Sequence, residues 1–377
     1  MTGKPLKTLK RRSRGKPWHK TTATVKSRKV RKVAAKKSHA AKDKLRKPKP
    51  VKQKAKLPVT RKSTEAAYRS LKRRQWAWKP GPCNACAGEL VLQSWKSCQC
   101  RGFGRLFYRC EDCQEYFDVL SFSHLRVCRM PLAWISKAVE MHFQQSPPQS
   151  ASNIGRAIGA SATPGGPLCS LLHILMGHEK RCADEFQQTC TLAGLVEADG
   201  TSIRSFKQGS ALVYRQLYGM IARKDNRRQC LIWDIGEAKS QSEGKPPPES
   251  FAKIQRCGAL QHLAVTEKVS GKRSRRTMLL TDGAKCYPKV CDQVGLLHEA
   301  VNHSKGEFVR EVLRGSEKVS CHTGTIDATW TACKAYVPNS LSSQSPLLYL
   351  YVKSWQWRYI LRQRDVETQT VRALRRR

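Results

Sequence analysis

The sequence predicts an α/β fold, with a small zinc ribbon and a helical region ahead of its main sheet and a basic, disordered tail ahead of both. Three observations carry this reading. "GLVEADGTSIRSF", "LVYRQLYGMIAR" and "QCLIWDIG" alternate apolar and polar residues as successive strands, and further strand- and helix-like segments follow them. Two C-x-x-C pairs, Cys83/Cys86 and Cys110/Cys113, are separated by a stretch that itself alternates. The charge is lopsided: of a formal +43, residues 1–79 carry +28.

The tail comes first. Stretches such as "KSRKVRKVAAKKSHAAKDKLRKPKP" hold few large apolar groups, so burial cannot offset the entropy of ordering, and residues 1–79 are predicted to be disordered. A charge of this density attracts polyanions by counterion release, largely without sequence preference. The clusters "LKRR" and "RKVRKVAAKK" read as nuclear-import signals, so the nucleus is the expected location. An organelle presequence is the rival, but the Lys/Pro mixture lacks an amphipathic apolar face. No apolar run approaches the length of a membrane span, so no membrane partner is expected. Sixteen cysteines without a secretory signal argue for thiols or metal rather than a disulfide framework.

Residues 80–127 read as the ribbon. Each C-x-x-C forms a tight knuckle with two thiolates aimed at one ion, and four sulfurs complete a tetrahedron around structural Zn²⁺. Cys83, Cys86, Cys110 and Cys113 are the favoured ligands. Cys98 and Cys100 either replace one pair or stand aside. In residues 128–190, Leu132, Ile135, Val139 and Phe143 recur at helical spacing, and two further short helices follow a Pro-Pro break. That pattern is compatible with a helix-turn-helix and equally with any packed helices.

Residues 191–364 hold the acids of interest. Asp199 ends the apolar run "GLVEAD", Asp282 ends "MLLTD", and Asp327 opens the helical "IDATWTACKAYV". Singly, each suits a turn or a helix cap. Together they suit Mg²⁺, a hard cation that takes carboxylate oxygens and keeps its waters. Two such ions a few ångströms apart activate an attacking oxygen and stabilise a leaving one.

The blocks "VEADGTSI", "LLTDGAKCYP", "VNHSKGEFVR", "HTGTIDATWTACK" and "YLYVKSWQWRYILRQR" resemble the catalytic domain of Merlin-type DDE transposases and their bacterial insertion-sequence relatives. The resemblance covers about residues 80–364, including the ribbon and helices in the same order. It implies an RNase H-like domain that cuts and joins DNA strands with Mg²⁺ or Mn²⁺. Double-stranded DNA and terminal inverted repeats are its implied partners; a homodimer is compatible with this reading, and the sequence does not fix the oligomeric state. Asp199 and Asp282 match the first and second catalytic acids and would hold magnesium. Asp327 falls where the family has Glu or Asn. Lys334 matches a lysine two helical turns later and would meet a DNA phosphate; His322 matches the histidine ahead of the third acid and is the second DNA-binding candidate. His303, Ser304 and Glu307 match a block without a derived role. Glu317 is a rival third acid, but "LRGSEKVSCHTG" reads as a turn with no helix to present it. Three departures stand out: Gly200 where an acid commonly follows the first Asp, Gly324 in place of an asparagine, and the shorter side chain of Asp327. They fit a diverged enzyme or a domesticated, inactive DNA-binding protein. Residues 365–377 read as a basic C-terminal tail.

Overall fold

The computed structural model describes residues 57–94, 104–145, 148–224, 227–240, 245–268, 274–362 and 365–375. All belong to one compact unit, Gln53–Arg377. Residues 1–56, and Cys98 and Cys100 with them, lie outside the described residues.

The first helix, α1 (Arg61–Arg73), corrects the expected tail boundary at residue 79. Thr60 caps it in a reciprocal box with Ser63, which satisfies backbone N–H groups the first turn would otherwise leave unpaired. Thr64, Ala67, Tyr68 and Leu71 are buried along one face. Tyr68 joins Tyr108 of the ribbon through their hydroxyls, 2.5 Å apart. Arginines and lysines on the solvent face hid a short apolar stripe, because composition averages over a helix whose two sides differ.

The ribbon is a three-stranded antiparallel sheet of β1 (Leu90–Leu92), β2 (Phe107–Cys110) and β3 (Tyr116–Asp118). Three helices follow: α2 (Leu132–Gln144), α3 (Ala151–Ile158) and α4 (Pro167–Thr189). At 23 residues α4 is far longer than the short helix expected there. Pro167 opens it, and Leu168, Leu171, Leu172 and Leu175 give it an apolar stripe. One apolar core runs through α1, the ribbon and α2–α4 and takes in Val371 and Leu374 near the C-terminus.

Those last two residues belong to α9 (Val366–Arg375), which corrects the expected C-terminal tail. Val366, Thr370, Val371 and Leu374 are buried at helical spacing. Glu367 of this helix accepts from Arg74 Nε at 2.7 Å and Trp76 Nε1 at 2.6 Å, tying the end of the chain to the turn after α1.

The main sheet has the order β10-β9-β4-β5-β6. Three long strands come first: β4 (Leu195–Gln208), β5 (Ala211–Lys224) and β6 (Arg227–Lys239), paired antiparallel as consecutive hairpins. Then β9 (Met278–Thr281) and β10 (Leu297–Ala300) add parallel to β4. One face is covered by α5 (Phe251–Arg256) and α6 (Tyr287–Val294), whose Ile254, Tyr287 and Val290 meet Val196, Ala198 and Leu279. The other is covered by α7 (Gly324–Tyr336) and α8 (Leu347–Ile360), whose Ile326, Trp330 and Val352 meet Ile203, Leu217 and Ile232. Two small hairpins complete the fold: β7 (Thr266–Lys268) with β8 (Ser274–Arg276), and β11 (Arg310–Arg314) with β12 (Glu317–Cys321). The whole is mixed α/β with a mixed sheet.

The helical region is joined to the sheet by a buried polar seam between α4 and α8. Glu179 and Arg358 pair at 2.7 Å, and both are essentially without solvent contact. Arg358 also donates to the carbonyls of Gln145 and His142, while Ser354 donates to Glu179. A buried pair of this kind fixes relative position, since leaving either charge unmatched is costly.

Candidate functional site

In the ribbon the two knuckles are near copies. Cys83 N–H donates to the Gly88 carbonyl and Cys110 N–H to the Glu115 carbonyl, both at 2.9 Å and both spanning five residues. The residue after each second cysteine, Ala87 and Gln114, is left-handed at φ 62° and 65°. This brings the sulfurs of Cys83, Cys86, Cys110 and Cys113 within 4.8 Å of one another. The separations are 3.6 Å for Cys83–Cys113 and 3.3 Å for Cys86–Cys110. Four thiolates around one zinc stand roughly 3.8 Å apart, given Zn–S bonds of about 2.3 Å, so the cage fits the ion. The thiols already divide unevenly. Burial opposes ionisation of Cys110, yet the N–H groups of Cys113 and Asp112 and the Cys86 thiol bring it down to about 7. This cysteine set could hold zinc.

The second site lies at the carboxyl ends of β4 and β9, where open α/β sheets present ligand crevices. Parallel pairing matches Val196 with Leu279 and Glu197 with Leu280. The same register, continued two residues, sets Asp199 opposite Asp282, and period-two alternation sends both carboxylates to one face. A third acid joins them: oxygens of Asp199, Glu249 and Asp282 lie within 4.8 Å of one another. Glu249 comes from the loop before α5. Its Oε1 accepts from Gly200 N–H at 2.9 Å and from the Tyr287 hydroxyl at 2.6 Å.

Gly200 is what admits it. A Cβ at that position would stand 2.6 Å from the Glu249 carboxyl carbon, closer than real contacts allow. The glycine that replaces an expected acid thus makes room for an acid from elsewhere in the chain. Burial, then the charges of Glu249, Asp282 and Asp327, push the Asp199 carboxyl up to about 8. Such a group is ill at ease as an anion without a cation beside it. Hard oxygen donors converging on one point suit Mg²⁺ or Mn²⁺.

Asp327 stands apart from this trio. It is exposed in the first turn of α7, and its Oδ2 accepts from the Thr323 hydroxyl at 3.0 Å. Its charge is still felt at Asp199. Lys334, two turns along α7, also responds to Asp199: burial lowers its pKa while that carboxylate pulls it back. Trp330 seats the helix there by lying on Gly219, the residue paired with Asp199, where a Cβ would come within 2.6 Å of the indole. Glu197, fully buried, fixes the start of α7. Its Oε2 accepts from the N–H groups of Thr325 and Ile326 at 2.9 Å each, and its other oxygen pairs with Arg223.

His322 belongs to this same corner. Its Nδ1 accepts from Gly324 N–H at 3.1 Å and lies 3.6 Å from Glu197. Burial and then Arg223 lower its pKa, against the opposing pull of Glu197 and Asp327. Glu317 sits on β12, not in a turn, and pairs with Arg275 away from the acids. His303 and Ser304 form a short 3-10 turn, with His303 Nε2 at 3.5 Å from the Thr323 hydroxyl, and Glu307 accepts from Asn302 N–H at 3.1 Å. Sequence reading missed Glu249. It lies in a proline-rich loop without periodicity, and the one hint was an acid missing at Gly200.

Comparison of the chain with protein-family models, curated proteins and solved structures gives no match. No helix among the described residues is long and apolar enough to cross a membrane.

Proposed function

We propose that this chain is a metal-dependent DNA strand-transferase of the DDE transposase type, with an RNase H-like sheet, a zinc ribbon and a helical DNA-binding region, acting in the nucleus. The observation that carries the reading is the convergence of Asp199, Glu249 and Asp282 in a chain of formal charge +43. An acidic pocket within a basic protein is suited to a substrate that is itself a polyanion, with cations bridging the two. Acids at the carboxyl ends of neighbouring parallel strands support the RNase H-like reading.

Asp199, Asp282 and Glu249 would hold the divalent metal. When bound, that metal neutralises charge on a phosphodiester and lowers the pKa of the attacking oxygen's proton. The protein's own contribution is placement. Tyr287 and Gly200 fix Glu249, the paired strands fix the two aspartates, and Lys334 supplies a cation on the α7 face beside Asp199. Asp327 follows the two residues whose N–H groups Glu197 caps, and its charge reaches Asp199.

The position of Asp327 also favours a second reading, a domesticated DNA-binding protein that retains the fold without strand cleavage. Its carboxylate is engaged by Thr323 rather than joined to the trio. Cleavage of end-labelled duplex bearing the element's terminal repeats, with Mg²⁺ or Mn²⁺, separates the two. Cutting by the native chain that is lost in Asp282→Ala supports the enzyme. DNA binding without cutting supports the domesticated form, and binding to neither metal nor DNA sinks both.

A further inference from the structure

A second feature of the surface lies away from the sheet and takes no part in the carboxylate site. Four separate pieces of chain border one cleft of about 640 Å³: Trp78 and Lys79 after α1, His124 after the ribbon, Arg181 on α4, and Leu374 and Arg375 on α9. That size is in the range of small-molecule sites. Lys79, Arg181 and Arg375 are exposed, and no carboxylate is among the described residues that line the cleft. Three permanent cations gathered around one hollow repel each other unless an anion enters.

The floor of the cleft is aromatic. Trp78 meets His124 edge-on with ring centroids 5.1 Å apart, and His124 meets His178 at 5.4 Å. His178 donates from Nε2 to the His124 carbonyl at 3.2 Å and accepts from Arg181 at Nδ1, which fixes it as a neutral ring. Burial, then the charges of Arg181 and Arg375, lower the pKa of His124, which lines the cleft with both arginines. Its Nε2 is enclosed and meets no hydrogen-bond partner among the described residues. An enclosed polar nitrogen without a partner is costly unless something else supplies one.

We propose that this cleft seats one nucleotide of a single-stranded DNA segment, its base on Trp78 and its phosphates against Lys79, Arg181 and Arg375. The inference rests on the DNA reading above and extends it to unpaired strand. Every base offers a π-face to an indole, and guanidinium groups match phosphate oxygens in bidentate fashion. A phosphorylated peptide would satisfy the cations but leaves the indole without a matching flat partner. The cleft is also built from both ends of the described chain together with the ribbon and α4, so strand bound there would contact each of them.

The test uses the full chain in EDTA, which silences any metal-dependent cutting. Binding of a short dye-labelled oligothymidine and of a duplex is followed by fluorescence anisotropy over a range of salt. Trp78→Leu should weaken oligothymidine binding by roughly five- to a hundredfold, the span of one lost base stack. Lys79→Ala with Arg375→Ala should flatten the salt dependence by about one to two in slope. Lys62→Ala with Arg69→Ala, an equal charge loss on the exposed face of α1, should leave oligothymidine affinity within about twofold, since scattered charges contribute little to a stacked site. In the native chain, an iodouracil-substituted oligonucleotide should photo-crosslink to the peptide containing Trp78. If the native chain binds DNA but crosslinks elsewhere, or if the cleft variants match the α1 control, the nucleotide site is overturned and the DNA reading stands. If the native chain binds neither probe, the DNA reading falls as well.

Discussion

Replacing Asp199 with asparagine should stabilise the metal-free protein while abolishing its response to magnesium. In the folded chain the Asp199 carboxyl is pushed from its ordinary 3.8 to about 8, by burial first and by Glu249, Asp282 and Asp327 after it. A raised carboxyl pKa favours the folded state at low pH. Its contribution is complete below about pH 4, and it is lost progressively as pH rises toward 8. At pH 7 the gap between pH and the unfolded value spans about three units, which sets an upper bound of about 4 kcal/mol on the cost of folding around this acid. Asparagine carries no charge at any pH, so Asp199→Asn should gain about 1–4 kcal/mol at pH 7 in EDTA and nothing near pH 4. Urea unfolding of the full chain at several pH values, with EDTA and then with Mg²⁺, measures this directly. Mg²⁺ should stabilise the native chain and leave the variant unmoved, because a ligand stabilises only the state that binds it. The reasoning is refuted if the asparagine variant is less stable in EDTA at pH 7, or if Mg²⁺ raises both proteins alike.

Gly200→Ala should weaken divalent-metal binding about 10- to 100-fold, since the added methyl collides with the Glu249 carboxyl; titration calorimetry with Mn²⁺ reads it, and native affinity would remove Glu249 from the site. The double variant Cys110→Ser, Cys113→Ser should hold no zinc by elemental analysis where the native chain holds one ion, and full occupancy would send the assignment to other cysteines. Leu71→Ala, in a segment whose composition suggests disorder, should cost about 2–5 kcal/mol in denaturant unfolding because Leu71 is fully buried, whereas a solvated tail would show no change. Arg358→Ala should destabilise by about 3–5 kcal/mol, since it strands the buried Glu179 carboxylate; co-substitution of Glu179→Gln should recover part of that loss.

Several elements were legible because local pattern and fold agree. The paired knuckles announced four sulfurs at one point, since a C-x-x-C turn aims its own side chains whatever surrounds it. The three long strands announced themselves by alternation, and "MLLT" by a short apolar run before Asp282. Other elements were misjudged for a common reason. The helices α1 and α9 are flanked and decorated by basic residues, and a charge average hides a stripe of three apolar residues and a threonine that has meaning only against the ribbon and α2–α4.

What the sequence determined, then, is whatever depends on neighbours in the chain: the knuckles, the strand periods, the helix carrying Asp327 and Lys334, and the excess charge that points to a polyanion. The tertiary structure alone decided which acids meet. Asp199 and Asp282 are 83 positions apart and meet because parallel pairing of β4 with β9 sets their register. Glu249 enters because Gly200 has no side chain to keep it out, while Asp327 is held aside by Thr323. A carboxylate's partners are set by distances across the sheet of a few ångströms, and electrostatic coupling follows those distances rather than separation along the chain.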